Sequence, residues 1–472
     1  MKDTTAAQRV LQLPELCCLI VDQLKLPPLF SIEALEIERR LDRRPRSLKD
    51  ILQVGLVSKY FLEPALDAIW ESVTFDELIR RFPFAVFGTH PFNKGDPYVR
   101  QVKRRKVTID DWIRFDYYAS RVKWLRIKEQ RHEAPQNPHH KHIIKEMSAL
   151  REPTSWLPRL EGLWIQDISI QQPFGLGKIF FSSQIKDFKI EADKLNYKFY
   201  AKLAQTLKLL NKQGPKIRCI SMEPPERLQR HTDEWNLVTK EVVSLVKKGS
   251  LRHFAYDESV STDLQYEVLK HPGLELLRLD IPRQINDIFH LPSEIASFKK
   301  LKDLELRWNN LSELIDFTPM LRGAHLHALS FHVSRAYSNT EFATLLSELS
   351  QNCNLSALEE FVFKAAGATL ISTTATTNNN QTSMGADDSA VTEPNEPKLY
   401  ELLLSHMSSW KALTKMTVLF PVGCALGSVE FLEQVAVTCP WLDGGRWESE
   451  ADRFLSYERA RVPYYDSDFD YD

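Results

Sequence analysis

Four histidines, His132, His139, His140 and His142, fall within eleven residues of this 472-residue chain and could suggest a metal site, since neutral imidazole is a good zinc ligand. No Cys or carboxylate pairs with them at ligand spacing, and Pro135 and Pro138 place them in a polar loop, so no metal site is expected. The six cysteines, Cys17, Cys18, Cys219, Cys353, Cys424 and Cys439, show neither metal nor disulfide spacing and suit a reducing compartment. The basic run Lys103, Arg104, Arg105 and Lys106 fits an import signal, a phosphate-binding patch or a solvated face. There is no phosphate-binding Walker loop, dinucleotide fingerprint, zincin helix or nucleophile elbow. Hence no catalytic residue, enzymatic activity or cofactor is expected.

What remains is recognition, for which Trp and Arg are the richest residue types. Their placement depends on a recurring frame: an apolar residue, two variable ones, an apolar residue, one variable, an apolar residue. It recurs ten times: Val122, Leu125, Ile127; Leu160, Leu163, Ile165; Ile185, Phe188, Ile190; Ile217, Ile220, Met222; Leu251, Phe254, Tyr256; Leu274, Leu277, Leu279; Leu301, Leu304, Leu306; Leu326, Leu329, Phe331; Leu358, Phe361, Phe363; and Leu413, Met416, Val418. Each frame predicts a short strand. Amphipathic stretches such as 199–214, 234–249, 340–353 and 428–439 predict return helices, with Gly214 and Gly249 as helix terminators. Starts lie 23 to 38 residues apart, except for 55 before the last. That last interval holds a Thr-, Asn- and Ser-rich stretch, 368–397, expected to be a disordered loop; without its 30 residues the interval is 25. The pattern resembles an irregular leucine-rich repeat, whose period is about 20 to 29 residues. "LKDLELRWNNLSEL" from Leu301 is nearest the consensus. Chance Leu-rich triplets or an unrelated α/β domain would also produce strand–helix alternation.

In each strand the positions between the apolar ones point away from the core. On that face the candidate target contacts are Trp124, Arg126, Trp164, Arg278, Glu305, Arg307 and then Trp308, with Lys189, His332 and Lys364 nearby. Such charges also serve simply to keep an exposed sheet soluble.

The N-terminal segment carries a second pattern. Leu13, Leu16, Ile20 and Leu24 recur at helical spacing, with Pro14 in the first turn. Ser47 and Asp50 suggest a capping box opening a second helix through Ile51–Val57, and Pro64 suggests the next break, followed by Ala65, Leu66, Ile69, Trp70 and Val73. Three helices this short cannot bury all of that apolar surface among themselves.

The stretch resembles an F-box. Leu13, Pro14, Glu15, Leu16, Ile20, Leu24, Val57, Ser58, Lys59, Tyr60, Phe61 and Trp70 match the family's pattern in order and spacing over less than a sixth of the chain. The resemblance implies docking to a Skp-type adaptor and, through it, a cullin scaffold, with Leu52 added to the matched residues as an adaptor contact. It departs from the family in the insertion 27–47 between the first two helices. The same helices would also serve as the end cap that a stacked array needs.

The expected fold class is therefore α/β: an N-terminal three-helix F-box-like domain followed by a leucine-rich-repeat-like solenoid. The expected division is 8–80, a connecting region 81–120, the array 121–450 and an acidic tail 451–472. By resemblance the function is the substrate receptor of a Skp-cullin-F-box ubiquitin ligase, binding an unknown target protein; the alternative is a binding scaffold whose F-box-like segment is only a cap. With 61 basic and 63 acidic residues, nothing in the overall charge attracts nucleic acid or a membrane surface. No apolar stretch approaches the length of a membrane span, and no signal peptide is expected, which points to cytosol or nucleus.

Overall fold

The computed structural model describes residues 13–24, 44–79, 81, 87–91, 99–103, 108–128, 147–152, 156–166, 180–191, 197–223, 233–259, 261–280, 298–308, 310–333, 337–364 and 399–419. Residues 27–43 of the insertion, the histidine group, Arg104–Lys106, the stretch 368–397, the 428–439 segment, the two last cysteines and the tail lie outside them. The protein is α/β. It divides into two compact units, Met1–Asp257 with Ser261–Val268, and Glu258–Val260 with Leu269–Asp472.

The first unit opens with three helices, α1 (Pro14–Leu24), α2 (Arg44–Val57) and α3 (Lys59–Trp70). Two boundaries differ from the sequence expectation. Helix α2 starts at Arg44, so Ser47 lies inside it rather than capping it; Pro45 fits a first turn, where no amide hydrogen is needed. Pro64 sits within α3 and does not break it. The break falls at Ser58, whose extended backbone (φ −153, ψ 145) caps α3 while its hydroxyl accepts from the Tyr60 amide at 3.3 Å. Pro64 removes one backbone hydrogen bond, and burial of Ala65 and Trp70 beyond it keeps the helix running. Cys17, Val21, Ile51, Phe61 and Ala65 form the shared core of the three helices, flanked by Leu24, Val54, Ala68 and Ile69.

Helix α3 leads directly into β1 (Ser72–Thr74), then α4 (Phe75–Ile79). An antiparallel pair, β2 (Phe87–Pro91) and β3 (Val99–Lys103), precedes a 3-10 turn and α5 (Trp112–Ala119). Strands β4 (Trp124–Lys128), β5 (Gly162–Gln166), β6 (Asp187–Glu191), β7 (Cys219–Glu223) and β8 (His253–Ser259) follow, with α6 (Tyr197–Gln213), α7 (Asp233–Lys248) and α8 (Thr262–Leu269). The strand β1 pairs in parallel with β4, and the strands β4, β5, β6, β7 and β8 pair in parallel in that order.

In the second unit, β9 (Leu276–Asp280), β10 (Asp303–Trp308), β11 (Ala328–Val333), β12 (Glu360–Lys364) and β13 (Lys415–Leu419) also pair in parallel and in chain order. Their helices are α9 (Leu311–Phe317), α10 (Asn339–Asn352) and α11 (Leu399–Met407). A capping box opens α10, where Ser338 and Glu341 satisfy each other's amides at 3.2 and 2.8 Å.

All ten frames coincide with β4 to β13, and every frame residue whose side chain is described is buried. The register is maintained by a repeated joint. A carbonyl just before one strand accepts two successive amides from the segment entering the next: Glu71 from Lys123 and Trp124, Lys123 from Glu161 and Gly162, Lys302 from His327 and Ala328, His327 from Glu359 and Glu360. Each strand thereby starts level with its neighbour, so equivalent residues line up in rows across the sheet. Gly214 ends α6 with φ +66, as expected of a helix terminator. Gly249 has a different reason: a Cβ there would lie 2.4 Å from the Ile217 carbonyl oxygen, so it permits a close approach.

Candidate protein-interaction site

Helix α1 turns Cys17 and Val21 into the core, which leaves Leu13 (48% exposed) and Ile20 (40%) on an outer stripe with half-buried Leu16. Leu24 packs against the core, while Pro14 and Glu15 are exposed. On α2, Ile51 turns inward, and Leu48, Leu52 and Leu56 form a second exposed stripe at i, i+4 and i+8, with Val57 beyond it. Leu19, Tyr60 and Leu62 add to this surface. Nine of the sixteen exposed large apolar residues among the described ones thus fall between Leu13 and Leu62. Leu19, Leu48 and Leu56 were not singled out from sequence, although the spacing of Leu48, Leu52 and Leu56 was legible there.

Phe61 and Trp70, matched to the F-box pattern as adaptor contacts, are instead spent inside the chain, each 5% exposed. Phe61 completes the three-helix core. The indole of Trp70 lies 4.4 Å from the Tyr118 ring, and the Arg81 guanidinium covers it at 4.5 Å. Ser58 serves as the α3 cap, and Lys59 lies with its ammonium 5.2 Å from the Tyr60 ring.

A polar clasp fastens α3 to α5. Arg121 reaches Glu63 Oε2 at 2.5 Å and pairs with Asp67, while the Tyr117 hydroxyl donates to Glu63 Oε1 at 2.9 Å. The hydrogen bond from Arg121 holds the Glu63 carboxyl below the usual carboxylate range, against the upward push of desolvation. Lys123 pairs with Glu71 at 2.7 Å.

The strand face in the first unit is buried rather than open. Trp124 is 9% exposed and Trp164 fully buried, and the two pack together apart from the main core. The Arg126 guanidinium sits 3.8 Å from the Trp164 ring centre and the Lys189 ammonium 4.4 Å from it, so the indole lies between two cations from the flanking strands. Lys189 also pairs with Glu191 at 2.6 Å, and Asp187 accepts from the Trp124 indole at 3.4 Å and from Arg218 at 3.2 Å. Trp124 and Trp164 are therefore internal packing groups. Their strand position was readable, but not their burial.

In the second unit, Arg278, Glu305 and Arg307 remain partly accessible on the face opposite the core. Trp308 does not join them. Alternation places it with Leu304 and Leu306 on the core side, where it is 2% exposed and its indole donates to Glu313 at 2.5 Å. Glu305 is the hub of the face: Arg278 lies at 2.7 Å, Arg307 at 3.2 Å and His332 at 3.8 Å. Burial would raise the Glu305 carboxyl, but Arg278, then Arg307 and His332, hold it below its ordinary value. Burial, then Lys364, lowers His332 to about 4 against the pull of Glu305, so its ring is neutral at neutral pH.

Among the described residues no group of His, Cys, Asp or Glu is arranged to hold a metal ion, and no helix is long and apolar enough to cross a membrane. Comparison with protein-family models and with curated proteins gives no match.

Proposed function

We propose that this protein is the substrate-receptor subunit of a Skp-cullin-F-box ubiquitin ligase, with α1 and α2 docking the adaptor and the parallel strands, stacked as a leucine-rich-repeat-like solenoid, capturing a target protein. The observation that carries this reading is the exposed apolar surface of α1 and α2, two leucine-rich stripes beside a core that the three helices complete together. Full burial of such a side chain contributes roughly 1.5–3 kcal/mol; these residues are only partly buried, and a partner recovers the remainder. In this reading the chain makes and breaks no bond. It holds a target lysine near a ubiquitin-charged enzyme supplied by other subunits, turning a bimolecular encounter into a local one.

The docking face consists of Leu13, Leu16, Ile20, Leu48, Leu52, Leu56 and Val57. Co-expression of the full chain with a Skp-type adaptor should give a stable complex, and Leu16→Glu with Ile20→Glu should abolish it while leaving the circular dichroism of the chain unchanged. An intact complex in that variant, or none with the unaltered chain, refutes the reading.

One observation favours a second reading. Trp70 and Phe61 are sealed inside and α3 runs straight into β1, as in a cap that closes the end of a stacked array. In that case the same purification yields no adaptor or cullin, and the protein is a scaffold acting through its strands alone.

A further inference from the structure

The parallel register of the second unit sets Arg307 of β10 beside His332 of β11, and His332 beside Lys364 of β12. Adjacent strands lie about 4.8 Å apart, so three basic side chains stand in one row on the face away from the core. Asp280 occupies the matching register position on β9, next to Arg307. One pleat below, the row reads Arg278, Glu305, Ser330 and Val362. Below that, Asp303 stands beside Ala328, and Glu360 is paired with Lys415. Among the described side chains of this face, the carboxylates of Glu305, Asp303 and Glu360 lie in its lower part, and the upper positions on β10, β11 and β12 are Arg307, His332 and Lys364.

The ring of His332 separates the two cations, and burial, then Lys364, with Arg307 adding to it, keeps that ring neutral even though Glu305 stands 3.8 Å away. Glu305 is shared between Arg278 and Arg307. The Arg307 and His332 side chains keep 36% and 25% of their surface accessible, enough to be met from outside.

We propose that the row Arg307, His332 and Lys364 is a docking surface for an acidic segment of a target protein, whose carboxylates lie across the upper ends of β10, β11 and β12. A carboxylate suits both the planar fork of Arg307 and the compact charge of Lys364. The neutral ring of His332 adds a hydrogen bond between them without raising the local repulsion. The proposal rests on the strand face being the capture surface, but it does not require adaptor docking.

The test uses the full chain and a fluorescently labelled glutamate-rich peptide of about ten residues, long enough to cross three strands, with fluorescence anisotropy as readout. The expected result is binding that weakens as salt rises. Lys364→Glu and Arg307→Gln should each weaken it by about tenfold or more, whereas Lys364→Arg should retain it. The Leu16→Glu, Ile20→Glu variant should bind the peptide normally, so loss of adaptor docking and loss of peptide capture can be told apart. The proposal is overturned by no binding above that of a serine-rich peptide, by unchanged binding in well-folded Lys364→Glu, or by equal affinity for a single-stranded DNA oligomer of the same charge.

Discussion

Arg121 lies just before β4 and reaches back some fifty residues in sequence to Glu63 and Asp67 on α3. Its guanidinium also covers the Tyr117 ring at 4.7 Å, so one side chain ties α3, α5 and the start of the sheet together. Two of those partners are more than half exposed, so their electrostatic contribution is screened by water. The acid response has a definite sign. The Glu63 carboxyl is depressed in the folded chain, so its contribution is complete above the unfolded carboxylate pKa of about 4.3 and disappears as pH falls through the lower folded value. Thermal melts of the native chain and Glu63→Gln should therefore differ at neutral pH and converge in acid. A gap that is constant with pH would show that Glu63 acts by packing alone. None of this was legible in the sequence, because Glu63 and Arg121 are ordinary surface residues until folding brings them together.

At the scale of elements, the three N-terminal helices are held by a small core, so their end caps matter. Ser58 both separates α2 from α3 and satisfies an amide of the first turn of α3. Ser58→Ala should lower stability by about 1 kcal/mol, measured as a shift in the denaturant midpoint, while Ser47→Ala, inside α2, should be nearly neutral. Equal effects would restore Ser47 as the helix start. The existence of the helices was legible from their apolar spacing. Their boundaries were not, because Pro45 and Pro64 are both compatible with a helix once tertiary packing favours it, and local signals cannot weigh that packing.

For the whole molecule, the buried frames make each strand depend chiefly on the strands it pairs with inside its own unit. Phe331→Ala should cost about 3–5 kcal/mol, and hydrogen exchange should rise in β10, β11 and β12 well before it rises in β4 and β5. A uniform rise over both units would indicate that they open as one. The sequence by itself determined the α/β class, the ten strands that carry the frame and the inward side of every described frame residue, because a period of two and burial of alternate residues leave little choice of face. It also contained the alternation that puts Trp308 inward. Only the tertiary structure decided what each outward residue meets. Trp124 and Trp164 follow the same alternation as Arg278 and Arg307, yet the first two are sealed and the last two are accessible. Alternation states which side of a sheet a residue occupies. Whether that side is covered, and which charges stand next to each other there, depends on the register between strands far apart in the chain.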